Sequence, residues 1–208
     1  MGLYSDWIFP WITERESEDA DVQAIRRSVL RDVAGRVFEI GFGTGANLPF
    51  YPPGVTRLAA VEPSAGMRRR AAGRVATWNG EVEFHPLAGE RLPFDDASFD
   101  TAVITFVLCS VRSPAAVLSE ARRVLRPGGS YHFLEHVLSS EARPRTWQRR
   151  LNRTHAALGC GCELVRDTEP AIAGAGFDFQ RIDRGQIHSR GFLRKLYPGV
   201  WGKAVRRG

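Results

Sequence analysis

The sequence predicts an α/β fold, a doubly wound and mainly parallel sheet with helices on both faces, and three observations carry that expectation. Short apolar runs alternate with segments of helical periodicity between Val37 and Glu135. A glycine-rich turn, Gly41-Phe42-Gly43-Thr44-Gly45, follows directly on the first run. The second run, Leu58-Ala59-Ala60-Val61, ends in an acid, Glu62. A tight turn after the first strand and an acid after the second is how an open α/β sheet holds a nucleoside, the acid taking the ribose hydroxyls.

Each element has its own signal. Val22, Ile25, Val29, Leu30 and Val33 recur at helical spacing and predict an amphipathic helix over residues 17–32. Residues 37–41 and 57–62 are the first two strands. Ser64 is placed to cap a helix reaching residue 76, whose Arg68-Arg69-Arg70 run reads as a solvated face. Residues 81–85 and 100–106 are the third and fourth strands. Val117, Leu118, Ala121, Val124 and Leu125 mark the next helix, which Pro127-Gly128-Gly129 ends before a fifth strand at 130–135. Helices at 144–158 and 167–175 precede two further strand-like runs, 177–184 and 199–206. The linker between those runs is too short for another crossover, so an antiparallel pair at one end of a seven-stranded sheet is expected.

At 208 residues the chain is expected to be one domain. Residues 1–33 would form a helical N-terminal lid, 34–136 the ligand-binding core, and 137–208 the substrate-side helices and terminal strands. The net charge of +6 comes from 27 arginines and only two lysines, interspersed with acids. That pattern points to a codon bias and argues against a nucleic-acid partner. Cys109, Cys160 and Cys162 are too few for a disulfide framework, and no matching Cys/His pair in the sequence completes a zinc site. No metal and a reducing, cytoplasmic setting are therefore expected. No apolar run reaches the ~20 residues of a membrane span, and no signal peptide is expected. The aromatic stretch from Tyr4 to Trp11 could pack on the domain, lid a pocket, or touch a membrane surface.

The turn itself selects among nucleosides. A dinucleotide site needs G-x-G-x-x-G to seat a pyrophosphate on a helix N-terminus. Here the third glycine comes one residue early, and Glu39 precedes the first by two. An acid there repels pyrophosphate but suits a ligand carrying an ammonium and a sulfonium, namely S-adenosylmethionine. A nicotinamide-dependent oxidoreductase fits these residues less well, as does a non-catalytic module.

With Leu92-Pro93-Phe94-Asp95-Asp96-Ala97-Ser98-Phe99-Asp100 and Arg123-Val124-Leu125-Arg126-Pro127-Gly128-Gly129, the turn resembles class I S-adenosylmethionine-dependent methyltransferases over about residues 37–135. Thr44-Gly45-Ala46-Asn47, Phe50-Tyr51-Pro52-Pro53-Gly54, Ala88-Gly89-Glu90, Val107-Leu108-Cys109-Ser110-Val111 and Phe133-Leu134-Glu135-His136-Val137 narrow the resemblance. They are similar to the methyltransferase-like group that includes animal alkyl-thiol methyltransferases. Two departures stand out. Ala88 occupies a position where the wider superfamily often has an adenine-binding aspartate, and the animal proteins' membrane anchor is replaced here by the short aromatic segment.

The resemblance implies a methyl transfer from S-adenosylmethionine, leaving S-adenosylhomocysteine, to a small and fairly apolar acceptor. A thiol is the first choice, with oxygen, nitrogen or carbon of a secondary metabolite as the alternative. Glu39 would serve the methionine ammonium, with Gly41, Phe42, Gly43, Gly45 and Asn47 shaping that end. Glu62 and Pro63 would meet the ribose, Gly89 and Glu90 would border the adenine, and Thr105 and Phe106 would lie beneath the sulfonium. Glu135 and His136 are the candidates for assisting deprotonation, although a hydrogen-bonded structural histidine is the more ordinary reading of His136. Tyr4, Trp7, Trp11, Cys109, His136 and His155 are the candidates for the acceptor wall. Cys109 reads as a small buried side chain, since direct methyl transfer needs no enzyme nucleophile, and His155 and His188 have no assignable partners.

Overall fold

Alternate residues of each central strand enter different apolar layers, because successive side chains point to opposite faces of a sheet. Val37 packs with Val29, Leu30 and Leu58, whereas Phe38 packs with Ile104, Leu118 and Phe133. The computed structural model describes residues 2–188 and 194–208. Its strands are β1 (Val37–Ile40), β2 (Arg57–Val61), β3 (Glu81–His85), β4 (Phe99–Thr105), β5 (Leu125–His136), β6 (Phe177–Gln186) and β7 (Pro198–Arg206). They form one seven-stranded sheet ordered β3-β2-β1-β4-β5-β7-β6.

Strands β1 to β5 are parallel, with Ile40 beside Val61 on one flank and Ile104 on the other. The connection reverses direction at β1 and β4, which opens a crevice beyond their C-terminal ends. The terminal strands pair antiparallel, as expected. β7 does so by inserting between β5 and β6, antiparallel to both.

Among the described residues, six α-helices flank the sheet: α1 (Phe9–Ser17), α2 (Ala20–Leu30), α3 (Ala65–Thr77), α4 (Pro114–Val124), α5 (Ala142–Leu158) and α6 (Thr168–Gly174). The single helix expected over 17–32 is two helices. Asp19 accepts the amides of Asp21 and Val22 and so starts α2 afresh after α1 has ended. Ser64 caps α3 through the Met67 amide, as expected. Pro127-Gly128-Gly129 does not end the preceding helix. α4 stops at Val124, Leu125 already pairs with Phe99, and the Pro-Gly-Gly lies inside β5 at a register shift, with Gly128 at φ +76°.

A π-helical turn, Tyr4–Ile8, leads into α1 and lies over α3. The Arg68-Arg69-Arg70 run is largely solvent-exposed, as expected, and also contacts the N-terminal segment. Arg69 donates to the Asp6 carbonyl at 2.7 Å and stacks on the Trp7 ring at 3.9 Å. Arg70 and Arg74 pair with Glu14 of α1 at 2.9 and 2.7 Å. The run anchors the N-terminal segment. Among the described residues, no helix is long and apolar enough to cross a membrane.

Candidate active site

The turn after β1 closes over the crevice because its glycines reach conformations that side chains resist. Gly41, Gly43 and Gly45 have φ of +72°, +57° and +75°. At Gly41 space matters as well: a Cβ there would come within 2.2 Å of a Val107 methyl. The turn, the ends of β2 and β4, the N-terminal segment and the end of α5 enclose a cavity of about 880 Å³.

Glu39 and Glu62 both line this cavity, Glu39 from β1 and Glu62 from just past the end of the neighbouring β2. Glu62 accepts the Gly43 amide at 2.9 Å and the Ser64 amide at 2.8 Å, so one carboxylate fixes the turns after β1 and β2. Burial raises its pKa, against the pull of those amides. Glu39 is buried deeper, accepting Asn47 Nδ2 at 2.7 Å and the Tyr51 hydroxyl at 2.8 Å. Burial pushes its pKa up to about 7 although both hydrogen bonds and Arg26 oppose it.

Arg26 is a functional candidate absent from the sequence expectations. It is 6% exposed and lines the cavity from α2. Its Nη1 reaches Asn47 Oδ1 at 2.5 Å and Thr105 Oγ1 at 3.1 Å, and its guanidinium lies 5.3 Å from the Phe106 ring centre. Burial lowers its pKa to about 10, so it stays a cation at neutral pH. Its position was legible in the sequence: Arg26 falls between Val22 and Leu30 on the apolar face of α2.

Phe42, Pro63, Thr105 and Phe106 line the cavity. Phe106 does so from the left-handed region, at φ +58°, with its amide bonded to the Leu134 carbonyl at 2.7 Å. Bulky residues rarely take that conformation without being held there. Gly45 and Asn47 stand behind the wall, Asn47 as the link between Glu39 and Arg26. Gly89 and Glu90 also miss the cavity, which Ala88 borders instead. A Cβ on Gly89 would strike an Ile40 methyl at 2.4 Å, so this glycine packs beneath β1 and turns the loop away.

Glu135 is not placed to exchange protons with an acceptor. It is fully buried and does not line the cavity. Its Oε1 accepts the Val107 and Leu108 amides at 2.9 and 3.0 Å, and its Oε2 the Cys109 amide at 3.4 Å. It caps the turn after β4, and burial pushes its pKa up to about 8. Trp7 and Trp11 miss the cavity too, being 59% and 48% exposed. The arginine beneath Trp7 turns that ring outward.

The far end of the cavity gathers residues from distant parts of the chain. Tyr4, Cys109, His136 and His155 line it, joined by Cys162, His188 and Tyr197. The Tyr4 hydroxyl donates to the Leu158 carbonyl at 2.5 Å, joining the N-terminal segment to α5. The His136 ring sits between Phe106 and Tyr197, with centroids 4.8 and 5.5 Å away. His155 contacts the Cys162 carbonyl through Nδ1 at 2.8 Å, and His188 lies 3.5 Å from Asp19. Cys109 and Cys162, which sequence spacing did not pair, have their sulfurs 3.4 Å apart, and the Cys162 sulfur is 3.8 Å from His136 Nδ1. That shared contact holds the Cys162 thiol below its ordinary range and, with burial, pushes Cys109 up.

Comparison with known proteins bears on the fold and the family. Residues 38–133 match the family model described as a methyltransferase domain. The chain is 38% identical to thiol S-methyltransferase TMT1B of Rattus norvegicus over 86% of this chain and 76% of that protein. It is 32% identical to thiol S-methyltransferase TMT1A of Homo sapiens over 99% of this chain and 90% of that protein. Among solved structures, geranyl diphosphate methyltransferase in complex with S-adenosylmethionine superposes with a TM-score of 0.67 at 15% identity, covering 90% of this chain and 84% of that one.

Proposed function

The chain belongs to the S-adenosylmethionine-dependent methyltransferases, and on that premise we propose that it methylates a small, apolar thiol. S-adenosylmethionine supplies an already activated methyl group, so the protein's work is to align the acceptor sulfur and exclude water. The observation that carries the reading is the Phe106–His136 contact, which joins the acid-lined end of one cavity to an end lined with imidazole and sulfur. Relatives named for thiol methylation span most of this chain and support the same acceptor.

The residues fit the cofactor on a further ground. Arg26 Nε and Thr44 Oγ1 are buried, line the cavity and have no hydrogen-bond partner among the described residues. A methionine carboxylate would satisfy both, and Glu39 beside them would favour the ammonium. Glu62 keeps lone pairs free for the ribose hydroxyls after bonding its two amides. Ala88 would meet the adenine edge. Thr105 and Phe106 would lie beneath the sulfonium, where a ring face favours positive charge.

Apolar side chains of Phe9, Ile12, Val111 and Leu158 make the acceptor wall, and Tyr4 helps roof it. A thiol needs little activation, since a pKa near ~8.5 leaves a few per cent thiolate at neutral pH. The same reading places the reaction in a reducing compartment, the cytoplasm. There the exposed Leu3, Trp7, Ile8 and Trp11 offer peripheral contact with a lipid surface. The test is release of S-adenosylhomocysteine across matched alkyl thiols, phenols and amines. Turnover confined to thiols is expected, and turnover confined to phenols or amines would overturn the acceptor.

A further inference from the structure

We propose that Cys109, Cys162 and His136 bind one zinc ion, whose fourth position faces the acceptor end of the cavity and takes the substrate thiol. The three-ligand site stands on its own geometry, while the occupant of the fourth position rests on the thiol reading above.

Two of the three donor separations are close to those a zinc ion needs. Zinc holds sulfur at ~2.3 Å and imidazole nitrogen at ~2.0 Å in a tetrahedron, which sets two sulfurs about 3.8 Å apart and sulfur from nitrogen about 3.6 Å apart. The corresponding distances here are 3.4 Å between the sulfurs and 3.8 Å from Cys162 Sγ to His136 Nδ1. All three ligand atoms lie within 4.8 Å of one another, so small side-chain rotations close the set around one ion.

The convergence is built by the backbone. The Glu163 amide donates to the Cys109 carbonyl at 2.8 Å and ties the two cysteine loops together. Gly161, at φ +102°, lets its loop approach: a Cβ there would sit 3.0 Å from the Ser110 carbonyl. Glu135 fixes the Cys109 turn through three amides, and His155 holds the Cys162 carbonyl. Groups behind the ligands that set their orientation are as much part of a metal site as the ligands.

Two cysteines and one histidine suit zinc, a borderline-soft ion. Structural zinc sites close with four protein ligands, whereas three ligands leave a position for water or substrate. Among the described residues this group stops at three, and all three line the cavity. A thiol entering there forms a metal–sulfur bond as its S–H bond breaks, and the proton leaves to water with no change of oxidation state. The metal then supplies the deprotonation that Glu135 is not placed to assist. A disulfide between Cys109 and Cys162 would need an added oxidant and would leave His136 without a role.

The test uses the full chain, stripped with a chelator under reductant and titrated with zinc and then cobalt. One equivalent per chain is expected, and the cobalt form should show intense thiolate-to-metal charge transfer and tetrahedral d–d bands. Cys162→Ser and His136→Gln should each weaken uptake at least ~10-fold, while calorimetric binding of S-adenosylhomocysteine shows that these variants are folded. Ethanethiol should shift the d–d bands of the cobalt protein. Uptake below about a tenth of an equivalent, uptake undiminished in both variants, or a Cys109–Cys162 disulfide formed under the same reductant would overturn the site. An unshifted spectrum would overturn the role of its fourth position. Thiol methylation by a chain that takes up no metal sinks this proposal alone. Metal uptake without thiol methylation sinks the acceptor reading alone.

Discussion

Arg26 donates to Asn47 at 2.5 Å, and the same Asn47 donates to Glu39 at 2.7 Å. One amide side chain thus holds a buried cation and a buried acid in line along the cavity wall. The pair matches the two charges of an amino acid. Neither charge would be tolerated there without partners, since desolvating an ion costs several kcal/mol.

If Arg26 meets the methionine carboxylate, its replacement should discriminate between ligands. Arg26→Lys keeps the charge but lacks the second donor, Nε, that stays free for the carboxylate while Nη1 serves Asn47 and Thr105. S-adenosylhomocysteine should bind at least ~10-fold more weakly, about 1.4 kcal/mol. Methylthioadenosine, which lacks the amino-acid end, should bind almost unchanged. Calorimetry with both ligands decides the matter, and equal losses would assign Arg26 to general support of the fold.

The Glu135 carboxylate accepts three amides of the turn after β4, so its loss should show in stability before activity. Glu135→Gln turns an amide group toward amide donors. A cost of about 2 kcal/mol is expected, lowering Tm by roughly 4–8 °C for a chain of this size. Thermal melts and the pH–rate profile test this together. Loss of the acid-side limb, on which the rate rises with pH as a base loses its proton, with Tm unchanged would restore Glu135 as a base.

Much of this architecture was readable because strand, turn and acid signals are local. The alternation of β1 to β5, the glycine turn and Glu62 all lie within short windows, and each appears where its neighbours require. What escaped depends on contacts between distant segments. Cys109 and Cys162 meet only because the loop after α5 folds onto the turn after β4, which no spacing records. The insertion of β7 between β5 and β6 is likewise a choice among sheet positions that periodicity leaves open. Pro127-Gly128-Gly129 misled because a helix-stopping motif also fits a bulged strand, and pairing of Leu125 with Phe99 decided it. Trp7 and Trp11 suggested a pocket wall by composition, but the Arg69 guanidinium offered Trp7 a partner on the outer face.

His132 should make stability depend on pH. Its ring is buried in β5, with Nδ1 2.7 Å from the Val29 carbonyl, and burial lowers its pKa to about 4. Unfolded, the group titrates near ~6.5, so between those values the unfolded chain binds the extra proton and stability falls as pH drops. Its contribution is fully present above pH ~6.5 and lost toward the folded value, a difference on the order of 3 kcal/mol. His132→Gln should flatten this limb relative to the parent chain in urea melts across the window. Parallel curves for the two proteins would show that the imidazole does not carry it.

Tyr4 and Trp7 sit three residues apart on the same N-terminal turn yet face different surroundings. The Tyr4 hydroxyl bridges to Leu158 across the cavity mouth, whereas Trp7 is 59% exposed over Arg69. Removing the bridge with Tyr4→Phe should loosen the roof and raise the acceptor KM about 3- to 10-fold, as expected for one lost hydrogen bond of about 1 kcal/mol, with kcat less affected. Trp7→Ala should leave that KM alone and instead weaken co-sedimentation with phosphatidylcholine–phosphatidylserine vesicles, because this exposed ring stacks on Arg69 of α3 outside the cavity, where an apolar face and a cation can meet a lipid surface together. If Trp7→Ala raises KM and Tyr4→Phe does not, the turn must rotate about its axis when the acceptor binds, carrying the indole inward and releasing the Arg69 stack.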